Sequence, residues 1–290
     1  MATKKTASAK KSKPTVAKQT KTKVTTVKAV AADATPATSS RSKTPKLFQG
    51  RSFILGAFIA EFIGAFILAT AAVLTRGEPL YVGFTLIAVV LIVGTLSGSH
   101  VNPLVTVGAW ATRKITGKRA LGYVAAQVLG ALLAFVVVSA FFNAAPEVSQ
   151  QAAMMGQQAT EMFKANPIPA GKEFYVFFAE MLGATIFALA MSSAIREKRN
   201  RAAQALTIGL GFFVALMIAG LTVSAVGGSV VVNPAIAFTV QAVSFTSLDL
   251  WAILSYIVAP IIGGTIGFFL YDVLRGESDG GDDKLLADTL

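Results

Sequence analysis

Cysteine is absent from the chain, and histidine occurs once, at His100. The first absence excludes a disulfide framework and a thiolate metal site, and it leaves the redox compartment unread. No nucleophile beside a base, no metal-ligand cluster and no phosphate-cradling loop ahead of a helix can be picked out. Neither an enzyme nor an ATP-driven pump is expected, and no cofactor or metal is needed. Charge is scarce too: Asp, Glu, Lys and Arg make up 14% of the 290 residues, against 54% hydrophobic residues. The mean hydropathy of +0.63 is far above that of a soluble domain, and several apolar runs reach the roughly 20 residues that cross a bilayer. The chain reads as an all-α, multi-pass integral membrane protein.

The charge that exists is unevenly placed. Residues 1–47 hold twelve Lys and Arg against Asp33 alone, which is the whole formal charge of +11; the remaining 243 residues carry 14 basic and 14 acidic side chains. That first stretch of Lys, Thr, Ala and Ser has too little apolar surface to fold and is expected to be a disordered cytoplasmic tail. It lacks the apolar core of a secretory signal. A polybasic arm on anionic lipid is the plainer reading, and nucleic-acid contact the less favoured one.

Six spans are expected, at 53–75, 80–96, 120–142, 174–195, 205–226 and 250–274. Arg113, Lys114, Lys118 and Arg119 follow the second span, and Arg196, Lys198, Arg199 and Arg201 follow the fourth. By the positive-inside bias these loops and both termini face the cytoplasm, including a C-terminal tail over 275–290, with the plasma membrane as the expected location. Residues 143–173 then form one long outside loop. Its Asn166-Pro167 reads as a turn, because no apolar helix follows.

Two short stretches are alike and too short to span. Gly98-Ser99-His100-Val101-Asn102-Pro103-Leu104 and Ser229-Val230-Val231-Val232-Asn233-Pro234-Ala235 each put Asn-Pro ahead of a short apolar segment. Asn is a favoured N-cap and Pro fits the first helical turn, so each reads as the start of a half-helix inside the membrane. Ala60-Glu61-Phe62-Ile63-Gly64-Ala65 is also matched, 119 residues on, by Ala179-Glu180-Met181-Leu182-Gly183-Ala184, and the two Asn-Pro sites are 131 residues apart. Each half, about 53–142 and about 174–273, therefore holds three spans and a half-helix. Three is odd, so the second copy inserts inverted, with a site where the halves meet.

Over roughly residues 53–273 the sequence resembles the major intrinsic proteins, the aquaporin and aquaglyceroporin family. The resemblance rests on Ser97 through Pro103, on Tyr123 with Gln127 and Gly130, on Ile208-Gly209, and on Tyr256 through Pro260 with Gly263, Gly264 and Gly267. It implies an aquaporin-like bundle of six transmembrane helices and two half-helices over 48–274, usually a homotetramer with one pore per subunit. Asn102 and Asn233 would donate amide hydrogens to a passing solute. Carbonyls of Gly98, Ser99 and His100, and of Val230, Val231 and Val232, would form an acceptor ladder.

The departures from the family pattern bear on the solute. Leu104 stands where alanine is usual in the first motif, while Ala235 keeps to type in the second. Ile236 stands where the family normally has the arginine of its outer selectivity filter. The other filter positions fall on Val82, on Val230, and on either Leu216, anchored on Ile208-Gly209, or Leu221, counted back from Asn233. Either way the filter is aliphatic, and stripping a polyol of water costs about 1–3 kcal/mol per unpaired polar group.

Glu61 and Glu180 are acids inside spans, readable as proton relays or as acceptors for loop N–H groups; their matching repeat positions favour the second. His100 reads as a loop anchor rather than a pH sensor. Gly56, Ala60 and Gly64, and Gly263 with Gly267, fall at four-residue spacing and read as packing positions. The expected activity is passive conduction of water or small neutral solutes such as glycerol, ammonia or hydrogen peroxide. The alternative is a poorly conducting structural or adhesive protein of the same fold.

Overall fold

A computed structural model of the chain describes residues 51–276, apart from 147, 148, 150, 152, 153, 157–160, 245, 247 and 248. The Lys-rich tail expected before residue 48, and 277–290 of the expected C-terminal tail, lie outside the described residues. Among the described residues the regular structure is helical: α1 (Arg51–Leu74), α2 (Pro79–Ser97), the short α3 (Pro103–Ala111), α4 (Gly117–Asn143), α5 (Glu173–Ile195), α6 (Arg201–Ser224) and the short α7 (Pro234–Thr239). The last span begins as α8 (Leu250–Ile253), passes through a π-helical turn (Leu254–Val258) and continues as α9 (Ala259–Arg275). Six of these helices are long and apolar enough to cross a membrane.

Capping residues move two expected boundaries outward. Thr116 accepts the Arg119 N–H, so α4 starts at Gly117 rather than 120, and Asn200 accepts the Ala203 N–H, so α6 starts at Arg201 rather than 205. Just before α6, the half-buried Glu197 accepts the Asn200 and Arg199 N–H groups, which hold its carboxyl below the usual carboxylate range. The π turn has a local cause. Pro260 has no N–H to offer the carbonyl of Tyr256, and the helix widens there, with the Ala259 N–H reaching back five residues to Leu254 O.

Close helix contacts repeat in the two halves. A Cβ on Gly130 in α4 would lie 2.2 Å from Phe62 O in α1, and one on Gly263 in α9 would lie 2.2 Å from Met181 O in α5. Met181 follows Phe62 by 119 residues, the offset between the two acids. The halves meet where α2 crosses α6: a Cβ on Gly83 would lie 2.9 Å from Gly209 O, and one on Gly209 2.6 Å from Gly83 O. Small residues permit this approach where lipid supplies no hydrophobic drive between helices. Gly64 fits the expectation, lying against the Val101 side chain, and Ala60 is buried. Gly56 does not: nothing lies within 4 Å of where its Cβ would be.

Outward faces carry exposed Leu121, Phe141, Leu221 and Ile92, the normal arrangement where the solvent is hydrocarbon. At one end of the bundle Asp272 in α9 binds Lys114 Nζ at 2.6 Å and Arg196 Nη2 at 3.3 Å, tying the loops after α3 and α5 to the last helix. This is the basic end. At the other end, the loop end, residues 161–171 run without helix from the long connection between α4 and α5. Asn166-Pro167 begins no helix, but the chain there is irregular rather than a tight turn, because the Asn166 N–H is taken by Ser229 Oγ at 3.0 Å.

Candidate functional site

Both Asn residues cap half-helices. Asn102 Oδ1 accepts the Leu104 N–H at 3.0 Å, and Asn233 Oδ1 accepts those of Ala235 at 3.0 Å and Ile236 at 3.4 Å, with Pro103 and Pro234 each taking the first helical position. Each amide nitrogen then has two hydrogens to place. One of them crosses the repeat: Asn102 Nδ2 donates to Val232 O at 2.9 Å, and Asn233 Nδ2 donates to Val101 O at 3.1 Å. The second hydrogen on each is not committed by these bonds.

The two accepting carbonyls are aimed by strained backbone. Val101 has φ 41° and Val232 φ 52°, a region that β-branched residues avoid. Such a conformation costs about 1–3 kcal/mol and persists only when its surroundings fix it. Here they do. Glu61 accepts the Val101 N–H at 2.6 Å and the His100 N–H at 2.9 Å, and Glu180 accepts the N–H groups of Val231 and, at 2.9 Å, Val232. Both acids are fully buried, so these bonds satisfy backbone donors that have no water to turn to.

The first half adds side chains to its clamp. Gln127 Nε2 donates to Glu61 Oε2 at 2.7 Å and to Thr106 Oγ1 at 2.9 Å, and the His100 ring nitrogen Nδ1 lies 3.2 Å from the same hydroxyl. The His100 ring meets Tyr123 edge-on at 5.3 Å, and the Tyr123 hydroxyl donates to Ser97 O at 2.6 Å. Leu104, the residue unusual for its motif, is fully buried, and bare Gly264 in α9 makes the room, since a Cβ there would stand 3.1 Å from the Leu104 Cδ1.

Cavities lie on either side of the Asn-Pro crossing. At the basic end about 420 Å³ is bordered by Gly98 and His100 together with Lys114, Arg119 and Lys198. At the loop end a cavity of about 350 Å³ shares Gly77, Phe163, Leu216, Ser229 and Val230 with a smaller one of about 30 Å³, the constriction. Val82, Leu216, Val230, Val231 and Ile236 all border that constriction. Ser99 is buried, as is Asn102 at 1% exposure, and Asn233 has none.

One sequence-derived assignment is corrected. Leu221 borders the wide cavity but not the constriction and is 69% exposed. Five residues along a helix is about 140° of rotation past a full turn, which carries it off the face that Leu216 occupies. The count from Asn233 fails because α6 is followed by a turn over 225–227 before the filter loop begins. Val232 O, expected in the carbonyl ladder, accepts from Asn102 Nδ2 at 2.9 Å and keeps a second lone pair. Sequence reasoning also missed Ala72, Gly77, Phe163, Ala165, Phe212 and Val240, which complete the constriction together with Ser229 at the head of the second motif. The one available signal for Phe163 was an aromatic residue in a loop otherwise rich in polar residues and proline.

Comparison with known proteins agrees with this geometry. The family model described as Major intrinsic protein matches residues 48–271. The chain is 28% identical over 230 residues to Glycerol uptake facilitator protein-like 6 of Lactiplantibacillus plantarum, covering 76% of this chain and 98% of that protein. It is 28% identical over 201 residues to Aquaporin AqpM of Methanothermobacter thermautotrophicus, covering 67% and 75%. The X-ray structure of the aquaglyceroporin from Plasmodium falciparum shares the fold at 19% identity and a TM-score of 0.55, over 80% of this chain and 99% of that one. With a match over most of its length, six membrane-capable helices and paired Asn-Pro half-helices, the chain belongs to the major intrinsic protein family, whose members are membrane channels and not enzymes.

Proposed function

We propose that the protein is a passive channel for water and small neutral solutes, such as glycerol, ammonia or hydrogen peroxide, and that it excludes ions and protons where its half-helices meet. The observation that carries this reading is the reciprocal pair of bonds from Asn102 to Val232 and from Asn233 to Val101. It fixes both amides and leaves one hydrogen on each for a solute oxygen. The N-terminus of each half-helix adds the positive end of its dipole, which repels cations. A water accepting from both amides cannot also accept from its neighbour in the file, so proton hopping stops there. Glu61 and Glu180 are structural in this reading, as acceptors that keep the loops in place.

Val82, Leu216, Val230 and Ile236 act as the filter. It has no side-chain donor, so it discriminates by size more than by hydrogen bonding. Relatives named for glycerol uptake and as aquaporins support both solute classes. The basic end faces the cytoplasm, both termini lie inside, the cell membrane is the location, and the assembly is a homotetramer. The Lys-rich tail rests on anionic lipid.

One observation favours a second reading. Asn233 has no accessible surface, and an apolar constriction of about 30 Å³ is prone to dewetting. A poorly conducting member with a structural or adhesive role would have these features. Stopped-flow volume changes of reconstituted liposomes separate the cases, with Asn233→Asp and Ile236→Arg as companions. Fast shrinkage under sucrose, slowed in Asn233→Asp, is the expected result for water. Re-swelling under glycerol that Ile236→Arg suppresses is the expected result for a broader solute range. Neither response would favour the structural role and reject the channel.

A further inference from the structure

Resting on the channel reading, we infer that Phe163, carried in from the connection between α4 and α5, is the wall that sets the size of solute the constriction admits. The side chain at 236 is an isoleucine, yet the cavity it borders holds only about 30 Å³. Phe163 is the aromatic ring common to the constriction and to the wide cavity above it. It therefore stands at the step between them.

Three independent contacts hold it there. The Ala165 N–H donates to Val240 O at 2.8 Å, just beyond the second half-helix, and the Asn166 N–H donates to Ser229 Oγ at 3.0 Å, at the head of the filter loop. Ser229 is itself held, its carbonyl accepting from the Tyr256 hydroxyl at 3.3 Å. On the far side the Arg76 guanidinium lies over the ring, 5.7 Å from its centroid, and a Cβ on Gly77 would come within 3.3 Å of the ring Cε1. Arg76 reaches this place with φ 58° and Gly77 with φ 72°, two successive left-handed residues that bend the chain between α1 and α2 toward the ring. A ring stacked on one face, backed by a residue without a side chain and followed by two backbone hydrogen bonds from Ala165 and Asn166, is a fixed part of the passage and not a passing loop contact. Arg76 and Glu78 both border the wide cavity, so their charges offset, and the assignment concerns size alone.

The test is the ratio of glycerol to water permeability in liposomes, together with the labelling rate of a reporter thiol. Because the chain has no cysteine, Val230→Cys supplies a single thiol inside the constriction, addressed by a neutral thiol reagent from outside. Phe163→Ala is expected to raise both the ratio and the labelling rate about tenfold, and Phe163→Tyr to hold both within about twofold. Phe163→Trp should lower them, and Arg76→Ala should raise them by less than Phe163→Ala does. Phe141→Ala removes an equal ring from the lipid-facing side, where Phe141 is 75% exposed, and should change nothing. An unchanged ratio and labelling rate in a folded Phe163→Ala, or in Phe163→Trp should the alanine variant not fold, would overturn the assignment. If the unaltered chain passes neither solute, the channel reading fails on its own, and labelling of Val230→Cys still decides the place of Phe163.

Discussion

The two halves of the repeat hold the same strained backbone with different chemistry. In the first, Glu61 takes two backbone donors and the side chains of Gln127 and Ser97, and Gln127, Thr106 and His100 close a polar network behind it. In the second, Glu180 takes two backbone donors. The residues at the corresponding repeat positions are Pro260, Ala237 and Val231, and none of them can supply a side-chain hydrogen bond. The carboxylate and the bend it holds are common to both halves. The support around the carboxylate differs between them.

That difference can be broken or sharpened by mutation, ranked by thermal unfolding of the purified protein in detergent. Glu180→Ala should have the largest effect. It strands two buried N–H groups at about 1–3 kcal/mol each and frees the bend at Val232 with no neighbour able to replace the acceptor. Glu61→Ala should cost less, because the Gln127 amide, whose oxygen is buried without a partner, can turn and accept one stranded N–H. If Glu61→Ala proves the more damaging, the network is not the backup described.

Leu104→Ala comes next, at about 2–5 kcal/mol, since Gly264 cannot fill the space left behind. The alanine already present at Ala235 predicts no such gap in the other half, so Ala235→Gly should cost about 1 kcal/mol or less. Gln127→Leu converts the first clamp toward the second. It loses a charge-assisted bond worth about 1.5–3 kcal/mol, partly offset by removal of the unpartnered oxygen, for a net loss of about 1 kcal/mol. Asp272→Asn should be smallest, below about 1 kcal/mol, because its ion pairs with Lys114 and Arg196 are partly exposed. A large shift there would mean that the basic end, and not the half-helix crossing, holds the halves together.

Much of this was legible in the sequence, because the membrane makes backbone demands that only a few residue types meet. Six apolar runs, two Asn-Pro starts and two acids at matching positions led to the observed helices, the caps and the clamped loops. What sequence reasoning missed depends on detail that pattern does not encode. The π turn over Leu254–Val258 follows from one missing N–H inside an otherwise ordinary span. Leu216 and Leu221 differ only in which way a helix has rotated when it reaches the constriction, and both are leucine. Phe163 owes its place to hydrogen bonds donated by its neighbours' backbone, and a backbone donor leaves no mark on the identity of the residue that carries it.

The crossed bonds between Asn102 and Val232 also constrain the order in which the protein can be made. They join residues 130 positions apart, so at about 5–20 residues per second the first half waits roughly 7 to 26 seconds for its counterpart to leave the ribosome. During that interval Glu61 restrains the bend at Val101, with the Val101 carbonyl still lacking the Asn233 amide hydrogen that it finally accepts. Truncation between the halves, or a pause in synthesis there, leaves a nascent chain whose re-entrant loop has nothing to close against, and quality-control proteases would meet the protein first at that point.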